Sequence, residues 1–380
     1  MKIAYATTFD ARDVNNWSGT PFYMSQAFAD EGLSVDYIGS LKRKLPRGFK
    51  LKQFWKKISC GQRESPRFNT VAAEYYSQQV AAQLQQHSAD IVVSPLLNPI
   101  TYLECKQPIV LWTDALYATL VGFYSNSSTH SANSIRQGNL IVKECLSRCK
   151  LALFSSDWAA RSALELYGAS KDKIKVVPFG ANMHCAHTLE DVRSWIKNRS
   201  RDVIKFLFLG KHWHRKGGDI VFAAAKALHA AGHRVEVNFV GCHPPDDVEI
   251  PSYIHCLGFI SKRTPEGIAK ITGLLRESHF LFVPSRAEAF GIVFCEANAF
   301  GLPCLTSYVG GISTIVKDNI NGMTFALDAT PETYCNYIVN LMQDYSRYEA
   351  LALSSFNEYA TRLNWRVAIQ TAKKLFSEIL

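Results

Sequence analysis

Short apolar runs alternate along this chain with longer stretches of helical spacing, and the runs end at turn-forming or polar residues. In the first half, residues 2–7, 33–38, 91–94, 108–113 and 151–156 read as strands. In the second half, 205–210, 235–240, 254–260, 280–283 and 303–306 do the same. Helical spacing fills 69–86, 158–167, 220–231 and 268–277, and an earlier helix runs to Ala29 with Pro21 in its first turn. Ser156 and Asp157 supply a cap for the helix that follows them. Residues 330–362 read as one helix. The segment 365–380 reads as a final amphipathic one, with Val367, Ala368, Ala372, Leu375 and Ile379 on its apolar side. Strand and helix alternating twice over predict two doubly wound α/β domains. The predicted first domain is 1–178 with 363–380, and the predicted second is 179–362.

Composition supports that division. A chain of 380 residues with 47% hydrophobic and 12% aromatic content is enough for two packed cores. No run of 18 apolar residues occurs, and the first residues have strand character without the apolar core of a signal peptide. Ten cysteines are scattered with no C-x2-C pair, as expected of free thiols in a reducing cytoplasm. Cys145 and Cys149 lie four apart on an expected helix. His184, Cys185 and His187 cluster but lack a second ligand pair, so no metal is expected. No G-x-G-x-x-G follows the first strand, which argues against an NAD dehydrogenase.

The net charge of +9 is unevenly spread. Residues 42–58 carry eight Lys or Arg interleaved with Leu, Phe and Trp, and no acid appears before Glu64. This suits a segment at an anionic membrane surface, capture of an anionic acceptor, or a solvated connection packed on the first domain. Nucleic acid is not expected, because no recognised binding module surrounds the patch. The expected location is cytoplasmic, with the inner membrane face as a peripheral station.

The chemistry concentrates at the ends of predicted strands. After 205–210 comes Lys211-His212-Trp213-His214-Arg215-Lys216-Gly217-Gly218-Asp219, whose cationic side chains and glycines suit a pyrophosphate. After 280–283 comes a polar loop, Ser285-Arg286-Ala287-Glu288-Ala289-Phe290-Gly291, and then a helix. The amides of Ile292 and Val293 in its first turn would face an anion. Glu288 and Glu296 flank that point. Carboxylates do not bind phosphate but accept from sugar hydroxyls, so a nucleoside-diphosphate sugar fits both features. Gly310 and Gly311 offer a second close backbone approach. In the first half, Gly19 is either a cleft residue or an ordinary turn glycine. Asp114, at the end of 108–113, is either a substrate contact or a turn-former. His130 is a weaker candidate in the Ser- and Asn-rich stretch 125–134, which reads as a flexible loop.

The stretch PSRAEAFGIVFCEANAFGLP followed by GGISTIVKDNINGMTF resembles glycosyltransferase family 4, whose Glu-x7-Glu pattern Glu288 and Glu296 match. The resemblance implies the GT-B fold, with two Rossmann-like domains facing a cleft, a hinge near Pro178-Phe179-Gly180, and a last helix returning to the first domain. It implies a hexosyl group moved with retention from a UDP- or GDP-sugar to a glycan, lipid-linked or small-molecule acceptor, without a metal or other cofactor. Lys211 and Lys216 stand where the family has an arginine and a lysine, with Arg215 adjacent. Asp114 stands near the family's histidine. Phe259 and Ile260 fall where relatives hold the base. On this reading Glu288 orients the sugar, Glu296 the ribose, and Lys211, Arg215 and Lys216 the leaving diphosphate. Other classes stay open: a phosphorylase or epimerase, a non-catalytic nucleotide-sugar binder, and an anionic-membrane adaptor working through 42–58.

Overall fold

In the computed structural model, which describes residues 1–124 and 129–380, the apolar runs form two six-stranded sheets, parallel throughout. The first contains β1 (Lys2–Ala6), β2 (Ser34–Ile38), β3 (Ile91–Ser94), β4 (Ile109–Thr113), β5 (Leu151–Phe154) and β6 (Ile174–Val176), in the order β2-β1-β3-β4-β5-β6. The second contains β7 (Ile204–Leu209), β8 (Val235–Val240), β9 (Ile254–Cys256), β10 (Phe280–Phe282), β11 (Cys304–Ser307) and β12 (Gly322–Phe325), in the order β12-β11-β10-β7-β8-β9. β3, β4, β5 and β10 are buried at every position, as expected of strands in a parallel sheet covered on both faces.

The chain divides into two units, Met1–Phe179 with Trp365–Leu380, and Gly180–Asn364. The junctions thus fall at 179/180 and 364/365, where the sequence placed them at 178/179 and 362/363. The C-terminal helix Trp365–Ser377 belongs to the first unit. Phe376 packs on Phe28 at 6.2 Å, Trp365 on Trp112 at 6.0 Å, and Lys373 Nζ donates to the Glu31 carbonyl at 3.2 Å.

Several elements differ from the sequence reading. The strand expected over 254–260 ends at Cys256; Gly258, at φ +65°, breaks the extended backbone although its carbonyl still accepts from the Gly241 amide at 2.8 Å. The helix expected over 330–362 is two, Pro331–Gln343 and Tyr345–Arg362. Asp344 lies between them in extended conformation, and its carboxylate accepts from the Ser346 amide. The stretch read as a loop over 125–134 is helical from Ala132 to Arg148, with Ser131 as its N-cap; residues 125–128 lie outside the described residues. Its Ser/Asn content hid a cap and a helical first turn. His130, just before it, donates or accepts at 2.8 Å with the Tyr117 hydroxyl and stacks on that ring, a packing role.

Part of the basic segment, read without secondary structure, is also a helix, Phe49–Cys60, bounded by Gly48 and Gly61 in left-handed conformation. It is fixed to the first unit through Glu64. Lys56 Nζ lies 2.6 Å from that buried carboxylate, Gln53 donates to the Glu64 carbonyl at 3.0 Å, and Asn133 and Ser134 donate to Oε2. Burial would raise the Glu64 carboxyl, but these donors win and hold its pKa at about 2.

Candidate functional site

In the second sheet, β7 pairs with β8 on one side and β10 on the other. The strand order reverses between β7 and β10, the point where an open α/β sheet leaves a crevice at its carboxyl ends. The two loops carrying the candidate residues leave the sheet there, side by side. Arg286 N donates to the Arg215 carbonyl at 2.8 Å, tying one loop to the other. Gly217, at φ +76°, lets them meet; a Cβ there would stand 2.2 Å from the Pro284 carbonyl oxygen.

The side chains that converge are Lys216, Arg215 and Glu288. Lys216 Nζ hydrogen-bonds to Glu288 Oε2, and both residues are buried. Arg215 Nη1 lies 3.7 Å from the same oxygen and donates to the Ala287 carbonyl at 2.8 Å. Lys216 sits in a short helical turn, Trp213–Lys216, absent from the sequence reading of that loop. Glu288 is the residue expected to orient the sugar, and its cationic partners were not foreseen from sequence. Its Oε2 is shared by Lys216 and Arg215. Lys211 is exposed, with Nζ 5.1 Å from the centroid of the exposed Phe259 ring, while Ile260 is half-buried. Burial first, then the charges of Arg215, Lys216 and Lys211, lower the pKa of His212. The three cations of the loop thus disfavour the charged form of the imidazole between them.

The helix after the second loop is Ile292–Asn298, only seven residues, so its macrodipole is weak and its free amides matter more. Ile292 and Val293 are half-buried in its first turn. Gly291 precedes them at φ +92°, where a Cβ would lie 2.6 Å from the Phe294 ring. Phe290 is buried beside it. The Gly311 amide donates to the Glu288 carbonyl at 3.2 Å, bringing the glycine loop after β11 to the same place. Arg199 braces the other end of the helix by donating to the Phe300 and Gly301 carbonyls at 3.0 and 2.8 Å.

Glu296 is almost fully buried on this helix. Lys262 Nζ meets its Oε1 at 2.5 Å, while Oε2 has no hydrogen-bond partner. Among the described residues, the second unit has two buried side-chain oxygens without a hydrogen bond, Glu296 Oε2 and Ser285 Oγ. Both lie on the stretch from β10 to this helix. An orphaned buried carboxylate oxygen is costly unless a donor arrives, which is what a ligand hydroxyl supplies.

Lys262 and the pair Arg286–Asp219, bonded at 2.7 and 2.8 Å, were not found from sequence. Burial works to raise the Asp219 carboxyl, yet Arg286 holds it below its ordinary range. Arg286 lay inside the motif stretch, but no spacing rule joins it to Asp219. His187 packs on Trp195 and Phe300 and bonds to the Ala299 carbonyl. Among the described residues, no three His, Cys, Asp or Glu stand together as a metal group.

Gly19 and Asp114 belong to the first unit. Gly19, at φ +85°, follows Trp17 and Ser18 at φ 46° and 55°, so three successive residues are left-handed at the end of the loop after β1, just before the helix Thr20–Asp30. Asp114 is half-buried after β4 and lies within electrostatic reach of Arg67. At the reversal between β1 and β3 a cavity of about 390 Å³ is lined by Thr8, Trp17, Arg43, Arg67, Tyr76 and Asn98 among others. Asn98 Oδ1 there is buried without a hydrogen bond.

Residues 204–344 match the family model described as glycosyl transferases group 1. Over 228 residues the chain is 28% identical to D-inositol 3-phosphate glycosyltransferase 1 of Catenulispora acidiphila, covering 55% of this chain and 53% of that protein. Over 254 residues it is 26% identical to the D-inositol 3-phosphate glycosyltransferase of Xylanimonas cellulosilytica, covering 64% and 60%. The chain spans about half the length of the curated relatives it matches. Among solved structures, sucrose-phosphate synthase from Thermosynechococcus elongatus superposes with a TM-score of 0.70 at 15% identity, over 100% of both chains. Anabaena HepE in complex with UDP-glucose gives 0.59 at 15% identity, again over 100% of both. At such identities the likeness concerns the fold. The chain has the GT-B fold, and its second unit carries a group 1 glycosyltransferase domain.

Proposed function

We propose that the protein is a retaining, metal-independent glycosyltransferase that moves a hexosyl group from a UDP- or GDP-sugar to an acceptor hydroxyl. The observation that carries this reading is the pairing, on two clamped loops at one sheet reversal, of a Lys216–Arg215 cation pair with a buried carboxylate, Glu296, that keeps one oxygen in reserve. The ammonium of Lys216 has three donors and spends one on Glu288. The rest, with Arg215, Lys211 and the Ile292 and Val293 amides, supply the positive field that a leaving diphosphate needs. That field supports the metal-independent part of the reading. Glu296 Oε2 takes a ribose hydroxyl, Glu288 Oε1 a hydroxyl of the transferred sugar, and Phe259 and Ile260 border the base.

The cavity of the first unit suits a polyhydroxylated acceptor bearing an anionic group. Arg43 and Arg67 supply charge, and Asn98 Oδ1 awaits a hydroxyl. The curated relatives are named for an inositol phosphate, which has that chemistry. A glycan or lipid-linked phosphate shares it. Asp114 and Gly19 belong to this acceptor side of the reading.

The test is turnover of a panel of UDP- and GDP-sugars with phosphorylated polyols and glycans, in the presence of EDTA, with the product's anomeric configuration read by NMR. Transfer with retention supports the proposal. Donor binding with no transfer across the panel would favour a non-catalytic binder, and inversion or a strict metal requirement would overturn the mechanism.

A further inference from the structure

The helix Phe49–Cys60 is amphipathic, but it is mounted with its apolar face outward. Phe49 is buried, and Gln53 and Lys56, one and two turns on, face the first unit and grip Glu64. The opposite stripe is Leu51, Phe54, Trp55 and Ile58, at the i, i+3, i+4, i+7 spacing of one helix face. These four are 63%, 57%, 60% and 64% exposed. A helix of a folded domain ordinarily buries such a stripe. Here the polar side is bonded to the protein, and large side chains that water disfavours are left outside.

Charge decides what covers them. At about 100° per residue, Lys50 and Lys57 flank one edge of the stripe, while Lys52, past the other edge, lies 3.8 Å from the Glu64 carboxylate. The loop before the helix adds Lys42, Arg43, Lys44 and Arg47, and the whole segment has no acid. A second copy of the chain docked on this face would bring two rows of lysines together. A lipid surface with anionic headgroups receives both features at once: apolar side chains enter the acyl boundary while the flanking lysines stay at headgroup level.

We propose that the helix Phe49–Cys60 docks the protein on anionic bilayers, with Leu51, Phe54, Trp55 and Ile58 inserted and Lys50 and Lys57 on the headgroups. The inference is independent of the nucleotide-sugar site, which lies in the other unit. No helix of the described residues is long and apolar enough to span a membrane, so this contact is interfacial.

The experiment is co-sedimentation of the full chain with vesicles of phosphatidylcholine alone and of phosphatidylcholine with phosphatidylglycerol, at low and high salt. Binding is expected to the anionic vesicles and to weaken with salt. The variant Phe54→Ser/Trp55→Ser should lower the partition coefficient at least about tenfold. Lys50→Gln/Lys57→Gln should remove much of the salt dependence. All four side chains are exposed, so both variants should keep the wild-type circular dichroism and melting behaviour. Absent binding to anionic vesicles, or equal binding by the apolar variant, would overturn the proposal. So would concentration-dependent dimerisation, abolished by Phe54→Ser/Trp55→Ser, in a protein that ignores vesicles.

Discussion

Replacing Lys216 by Met removes the main counter-charge of a buried carboxylate. Glu288 and Lys216 are both buried, and their hydrogen bond joins the loop after β7 to the loop after β10. Losing one member of such a pair costs about 3–5 kcal/mol, because the survivor is desolvated without compensation. Arg215, 3.7 Å from the same oxygen, limits the loss by partly neutralising Glu288, so the lower end, about 3 kcal/mol, is expected. The double variant Lys216→Met/Glu288→Gln leaves no charge stranded and should come within about 1 kcal/mol of the wild type, a coupling of about 2 kcal/mol or more. Because two units obscure a single unfolding transition, the readout is native-state hydrogen exchange at β10 amides, whose opening reports the second unit. Additive single and double variants, with coupling below about 0.5 kcal/mol, would refute the claim that this pair clamps the loops. Donor affinity should fall in every variant lacking Lys216, including the stable double one.

Two further outcomes follow from particular sites. Gly217→Ala combines a left-handed backbone with a Cβ 2.2 Å from the Pro284 carbonyl oxygen; it should cost more than about 1 kcal/mol and weaken donor binding, seen as a lower melting temperature and a raised Kd. His279 is fully buried and neutral, accepting from the Lys205 amide and bonded to the Ser200 carbonyl, and burial lowers its pKa to about 4. The unfolded chain binds that proton below about pH 6.5 while the native one does not, so stability is full above that pH. It should fall as pH drops toward 4, by about 3 kcal/mol over the window, and His279→Gln should flatten that slope in exchange measurements.

The fold was legible because parallel strands buried on both faces leave apolar runs, and because the glycines and prolines that stop them are local. The loops after β7 and β10 were legible for the same reason: each is a contiguous stretch of chemistry at a strand end. Partnerships were not. Lys216 meets Glu288 across 72 positions, Arg286 meets Asp219 across 67, and Lys262 meets Glu296 across 34, so no spacing could join them. The counter-ion of Glu288 was therefore hidden from the sequence, as was the Lys262 partner of Glu296. The helix Phe49–Cys60 was missed because lysines and aromatics mark a surface without declaring its backbone. Its orientation depends on Glu64, four residues beyond its end.

The most direct measurement is calorimetric titration of the full chain with UDP and with GDP in metal-free buffer, repeated with Glu296→Gln. One nucleotide should bind, and the variant should bind it about 10–150-fold more weakly, the loss of a charge-assisted hydrogen bond of roughly 1.5–3 kcal/mol. Its stability should change little, since Lys262 is partly exposed and can turn to water. Binding of neither nucleotide by the folded protein, or unchanged affinity in Glu296→Gln, would contradict the site.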